Sequence, residues 1–193
     1  RRPPRSTQGV SSAASDVYKR QDEMLQISSK GTVPILQFTN KVLDESLDII
    51  SWAMESPAPD VHIYSEAEEL LSLELVQLFD SKFKYHLDRY KYSSRYGADP
   101  KDHQLECRAI LEDLDTKINP NPWIFGKSVS LLDISILPFI RQCKIANPDW
   151  FFAQNFLKVI NLLNYFENGD LFTQAMQKYD LWDPVKNNGN IFP

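Results

Sequence analysis

Residues 31–46 read GTVPILQFTNKVLDES, and the fold turns on how they are read. Val33 to Gln37 follows a glycine and is rich in apolar residues, the pattern of a short strand. Pro34 lacks a ladder donor and belongs at a sheet edge or bulge. A cis Val33–Pro34 bond explains its placement, since cis prolines are kept for tight, specified geometry. Phe38-Thr39-Asn40-Lys41 predicts a hairpin turn, and Val42-Leu43 the returning strand. Asp44 and Glu45 end that strand. Ser46 predicts the N-cap of a helix with Ile49, Ile50 and Ala53 on its inward side.

Upstream, Glu23, Met24, Leu25 and Ile27 lead into SSKG, the end of a short helix or loop. Residues 1–21, RRPPRSTQGVSSAASDVYKRQ, have no helical or strand period and no long apolar core of a secretory signal. A disordered tail is one reading. SSAASDVYKRQ also resembles translated cloning or sequencing-adapter sequence, so native sequence is expected to begin near Asp22.

Apolar residues make up 42% of the 193, and glycine occurs six times, which argues for an ordered, mostly helical protein. Residues 1–21 hold five basic residues and one acid, so a net charge of −5 leaves −9 on the remainder. Such a body has no basic field for a nucleic-acid backbone or an anionic membrane, and neither is an expected partner. Cys107 and Cys143 form no disulfide framework, and His62, His86 and His103 lack metal-ligand spacing. No metal is expected, and the cysteine usage fits a reducing, cytoplasmic setting.

SPAPD at 56–60 is a breaker cluster. It suggests a boundary: a small domain over 22–56, a linker over 57–64 and an all-helical domain over 65–193. Ser65 predicts the cap of a helix carrying Leu70, Leu71, Leu73, Leu75 and Leu78, and Asp80 the cap of the next. Phe83, Leu87 and Tyr90 then form an apolar face. FKYHLDRYKYSSRY interleaves aromatics with cations, and on an acidic body it reads as half-buried tyrosines with snorkelling Lys and Arg. Asp99-Pro100 is a helix start, followed by a stripe of Cys107, Ile110, Leu111, Leu114 and Ile118. That stripe places Cys107 in the core. NPNPWIFG predicts a loop closed by Gly126.

Ser130 precedes Asp133 by three residues, and ILPFI follows. Each side chain can bond the other's backbone N–H, an acidic capping box, with Val129 packing on Ile134 as a staple. Asp133 is therefore a cap and not a catalytic carboxylate. Cys143 falls on the same apolar helix. Trp150, Phe151, Phe156, Ile160 and Leu163 predict a further helix with an aromatic lead-in. Asp170 predicts the cap of a last one with Leu171, Phe172, Met176 and Tyr179, and Trp182 a packing anchor.

TVP, a short hairpin and ES-x-x-I-x-x-W together resemble the thioredoxin-like half of the glutathione S-transferase family. The Ser130–Asp133 box resembles the start of the buried helix in that family's all-α domain, usually G-x-x-x-S-x-A-D. Leu132 departs from the common alanine. FK-x-x-LDRYKY-x-x-RY is similar to a bacterial omega-like subgroup. The resemblance spans roughly residues 22–183. It implies a thioredoxin-like α/β domain, here truncated, packed on an all-α domain.

The resemblance further implies glutathione as co-substrate, with a cis Pro34 and Val33 pairing with the cysteinyl backbone. Glu45 and Ser46 would take the γ-glutamyl amine and carboxylate, and Lys30 the glycyl carboxylate. Ser46 at a helix N-terminus suits a carboxylate on physical grounds as well. Taken singly, Ser46 is equally a plain cap, Pro34 an edge breaker, and Lys30 and Glu45 solvated surface; their order and spacing carry the reading. Tyr85, Tyr92 and Tyr96 are weaker candidates for the second-substrate pocket. The implied activity is conjugation to a small electrophile or thiol–disulfide exchange, in a homodimer. The reactive Cys, Ser or Tyr is expected upstream of Asp22, and no residue of this chain is a candidate for it. A non-catalytic binding or protein-interaction module and an inactive fragment are the alternatives.

Overall fold

The computed structural model describes residues 22–55 and 61–178. The reading of residues 1–21, the breaker at 56–60, Tyr179 and Trp182 lie outside the described residues. The chain divides into two compact units, one of residues up to Ile49 together with those from Asp170, the other Ile50–Gly169.

In the first unit, α1 (Asp22–Ile27) precedes a hairpin of β1 (Leu36–Gln37) and β2 (Val42–Leu43). The strands are antiparallel, with Leu36 opposite Leu43 and Gln37 opposite Val42. Phe38 N–H donates to the Lys41 carbonyl at 2.7 Å, which closes the expected turn. The first strand is shorter than the sequence suggests: Pro34 has no N–H for a ladder, and pairing begins only at Leu36. Leu43 is the buried anchor of the hairpin. The helix α2 (Ser46–Glu55) follows and runs past the end of this unit at Ile49, and α10 (Asp170–Ala175) belongs to the first unit. On α2, Ile49 and Ile50 are half-buried as expected, but Ala53 is exposed, and Leu47 and Met54 share the covered side instead.

The second unit is helical. In α3 (Glu66–Leu78) Ser65 and Glu68 form a reciprocal capping box. Only Leu75 of its predicted leucines is fully buried, while Leu70 and Leu73 are exposed. Asp80 caps nothing. The chain runs from α3 through a π-helical turn, Phe79–Phe83, into α4 (Lys84–Lys91) without a break. The physical reason is burial: Phe79 and Phe83 are both fully enclosed, with ring centroids 4.5 Å apart. The widened turn keeps both rings on the core side and leaves Asp80 in solvent. A single turn, α5 (Ser93–Tyr96), ends at Gly97, whose φ of 60° is the left-handed conformation that glycine supplies at helix ends.

The long α6 (Pro100–Lys117) starts as expected, with Asp99 Oδ1 accepting from Lys101 N–H at 2.8 Å. Cys107, Ile110, Leu111, Leu114 and Ile118 are all buried. At the centre stands α7 (Leu131–Ala146), where Leu132, Ile136, Leu137, Ile140 and Cys143 are fully enclosed. Each of those aliphatic side chains contributes about 1.5–3 kcal/mol by leaving water. Pro138 interrupts the α7 ladder but sits on its exposed side. The helices α8 (Pro148–Phe152) and α9 (Leu157–Glu167) complete the unit, with Phe151, Phe156, Ile160 and Leu163 inward as predicted. Glu167 on α9 pairs with both Arg141 and Lys144 of α7. Asp115 of α6 accepts from Val159 N–H at 2.9 Å, which serves an N-terminal donor of α9 that its own cap, Phe156, cannot reach.

Candidate functional site

The candidate site is built by residues 28–48. After α1, Gly31 adopts φ 58° and reverses the chain out of the SSKG turn. The next peptides carry Val33 and Pro34 across a cis bond onto the surface. Val33 is 50% exposed, and among the described residues nothing hydrogen-bonds its main chain. Its N–H and C=O are therefore available to pair with an extended ligand, as a strand edge would.

The hairpin returns the chain to Asp44, Glu45 and Ser46. Helix α2 begins at Ser46 itself: the Glu45 carbonyl accepts from Ile49 N–H at 3.2 Å, so Glu45 stands at the cap and Ser46 is the first helical residue. The sequence reading placed the cap one residue later. The first-turn N–H groups of α2 have no intrahelical partner and favour an anion. Asp48 in the same turn tempers that preference.

Lys30 joins these residues. Its Nζ lies 2.8 Å from Asp44 Oδ1 and 2.7 Å from Glu45 Oε1. The hydrogen bonds to Asp44 and then Glu45 hold the Lys30 ammonium well above its ordinary pKa. The bond from Lys30, followed by one from Ser28, holds Asp44 below the usual carboxylate range. Ser28 Oγ donates to Asp44 Oδ2 at 2.7 Å and is itself buried. Sequence reasoning singled out Lys30 and Glu45 but neither Asp44 nor Ser28 as their partners. The available signal was a Ser and a Lys flanking a turn and an acidic pair across the hairpin from it.

The remaining candidates lie in the helical unit. Tyr85, Tyr92 and Tyr96 are between 42% and 49% exposed, so they are surface and not core residues. Arg89 lies over the rings of Tyr85 and Tyr96, at 3.5 and 4.7 Å from their centroids. Cys107 and Cys143 are fully buried. The hydrogen bond with Cys107 and the burial together push the Cys143 thiol far above its ordinary range, which removes it as a nucleophile.

Asp133 is enclosed, and it accepts from Ser130 N–H at 2.9 Å, Ser130 Oγ at 2.6 Å and Ile124 N–H at 3.1 Å. The last bond ties the loop before α7, with its cis Asn121–Pro122 peptide, to the helix start. Tyr64 Oη accepts from Leu132 N–H at 2.8 Å, a cap supplied from 68 residues away. Burial raises the Asp133 pKa against these hydrogen bonds. The surroundings are those of a structural cap.

One juxtaposition was missed altogether. His86 on α4 and His103 on α6 bring their Nδ1 atoms to 2.8 Å. Glu106, Lys82, Arg89 and Tyr85 surround the pair. Burial lowers the His86 pKa; Glu106 opposes this, while His103, Lys82 and Arg89 add to it. A single proton satisfies the Nδ1–Nδ1 bond, and a second sets N–H against N–H. A His depressed in the folded state stabilises it above the ordinary value of 6.5, and that contribution is lost as pH falls. The melting temperature is expected to drop between pH 7.5 and 5.5, and His86→Gln to make that fall shallower. A pH-dependence identical to wild type in the variant would remove His86 from the account. Among the described residues no group of three or more His, Cys, Asp or Glu can hold a metal ion. None of the helices described is long and apolar enough to cross a membrane.

A family model described as "Glutathione S-transferase, N-terminal domain" matches residues 8–60. The match begins ahead of Asp22, inside the segment whose composition reads as foreign. Solved structures align over most of the chain. The fold is that of the glutathione S-transferases. A glutathione transferase family member from Pseudomonas fluorescens, with two glutathiones bound, superposes with a TM-score of 0.66 at 17% identity, covering 81% of this chain and 75% of that one. Glutathione transferase Omega 3C from Trametes versicolor gives 0.66 at 17% identity, over 85% and 75%. A Pseudomonas putida glutathione transferase, with one glutathione disulfide per subunit, gives 0.67 at 17% identity, over 81% and 74%. Its architecture therefore matches the expected pair of a thioredoxin-like domain and an all-α domain.

Proposed function

We propose that this chain binds glutathione through Val33, Pro34, Lys30, Glu45 and Ser46, and that the protein is a glutathione-dependent transferase of omega-like character. The observation that supports this most is the exposed Val33 with its main chain open, ahead of a hairpin that leads to Glu45 and Ser46 at the start of α2. The open peptide can pair with the cysteinyl backbone of the ligand. The helix start and the Ser46 hydroxyl can receive a γ-glutamyl carboxylate, and Glu45 an ammonium. Glutathione or its disulfide in two of the solved relatives adds weight to the choice of ligand.

The reaction is assigned as conjugation of glutathione to a small electrophile, or exchange with a disulfide. Cys107 and Cys143 are both buried in the core, so neither is proposed to react with the glutathione thiol. No side chain here is assigned the role of activating it. The same observation favours a second reading, a binding module with the site but without the reactive group. A cytoplasmic homodimer is the proposed setting. Calorimetric titration of the full chain with glutathione, with cysteinylglycine as control, tests the binding. Saturable heat and a thermal upshift with glutathione, much reduced without the γ-glutamyl group, are expected. No heat and no shift at millimolar glutathione would sink the proposal.

A further inference from the structure

Lys30 lies at one particular end of the candidate site. Its ammonium is 2.7 Å from Glu45, the carboxylate proposed above to take the γ-glutamyl ammonium of the ligand. An extended glutathione carries its glycyl carboxylate at the opposite end. The two carboxylates that hold Lys30 differ in a telling way. Asp44 is fixed on both oxygens, by Lys30 at 2.8 Å and by the buried Ser28 hydroxyl at 2.7 Å, and its side chain is 26% exposed. Glu45 is 63% exposed and shares only Lys30 in this arrangement. Asp44 is built to stay, and Glu45 to exchange partners.

We propose that Asp44 is a positioning residue that keeps Lys30 at the γ-glutamyl end, where the lysine reads the ligand's α-carboxylate while the ligand's ammonium replaces Lys30 on Glu45. This rests on the glutathione reading above and changes the role of Lys30 within it, from the glycyl to the γ-glutamyl carboxylate. An ammonium has three donors. In the unliganded arrangement two are used, on Asp44 and Glu45. Release from Glu45 leaves Asp44 as anchor and two donors for the incoming carboxylate. The exchange swaps one ion pair for two and conserves charge: the ligand ammonium neutralises Glu45, and Lys30 neutralises the ligand carboxylate. Without Asp44, Lys30 is free to swing into solvent once Glu45 is taken, as an unanchored lysine with several rotatable bonds does.

The test compares glutathione with 4-aminobutanoyl-cysteinylglycine, which keeps the amine and lacks the α-carboxylate. Calorimetry is run on the full chain as wild type, Asp44→Asn, Lys30→Gln and Lys30→Arg, with the melting temperature of each recorded. Asp44→Asn and Lys30→Gln are expected to weaken glutathione binding about tenfold and to leave binding of the analogue unchanged. Lys30→Arg is expected to recover most of the loss. Equal loss on both ligands would mean a merely structural role and overturn the proposal, as would no loss on either. Loss on glutathione alone with Lys30→Gln, but not with Asp44→Asn, would remove Asp44. If wild type binds neither ligand, the glutathione reading itself falls, and this proposal with it.

Discussion

Asp133→Ala is expected to lower the unfolding free energy by about 3–5 kcal/mol, read from denaturant midpoints at unchanged m-value. Three donors face the Asp133 carboxylate, and all are enclosed: Ser130 N–H, Ser130 Oγ–H and Ile124 N–H. Each stranded buried donor costs about 1–3 kcal/mol. The burial that raises the Asp133 pKa shows that its charge is itself held at some cost, which keeps the expectation to the lower part of that sum. Ser130→Ala is expected to lose less, about 1–2 kcal/mol, because Asp133 still receives two N–H groups. Against a domain stability of about 5–15 kcal/mol, the first change approaches the threshold for folding. A loss for Asp133→Ala no larger than that for Ser130→Ala would show that the bonds from Ile124 N–H and Ser130 N–H carry nothing.

At the other unit, Glu45→Ala is expected to weaken glutathione binding roughly 10–100-fold, and Ser46→Ala about tenfold. Glu45 is the exposed acceptor for an ammonium, and truncating it removes a charge-assisted hydrogen bond. Ser46 supplies one hydroxyl beside backbone N–H groups that survive the substitution, hence the smaller effect. Both side chains are at the surface, so the melting temperature is expected to stay within about a degree or two of wild type. Calorimetry of both variants under one salt condition checks the order. Unchanged affinity in Glu45→Ala would detach the acidic-Ser step from ligand binding.

What was legible in the sequence was the chemistry that closes within three or four residues. Ser65 with Glu68, Asp99 with Pro100, and Ser130 with Asp133 are each a cap whose partners are neighbours along the chain, and all formed. The hairpin turn at Phe38–Lys41 and the cis Val33–Pro34 bond were legible for the same reason. Asp80 shows the limit of local reading. An acid ahead of an amphipathic run looks like a cap, but two enclosed phenylalanines four residues apart keep the chain helical through it. Which residues pair at long range could not be read from spacing alone. Tyr64 reaches Leu132 across 68 residues, His86 meets His103 across 17, and Asp44 holds Ser28 across 16. Each depends on where the fold delivers a side chain, which no periodicity encodes.

At the candidate site the sequence named residues but not how they are arranged. Lys30, Glu45 and Ser46 stood out by order and spacing. That Lys30 folds back onto the acidic pair follows only from the way Gly31 and the hairpin bring residues 30 and 44–45 together.

The most direct test of the central claim, that residues 30–46 form a glutathione site, is a nuclear magnetic resonance titration of the ¹⁵N-labelled full chain with glutathione. The account predicts saturable shifts of the Val33, Ser46, Leu47 and Asp48 amides, at the cis-proline peptide and the first turn of α2. Saturable shifts confined to the helical unit, or none at those four amides while glutathione is in excess, would contradict it.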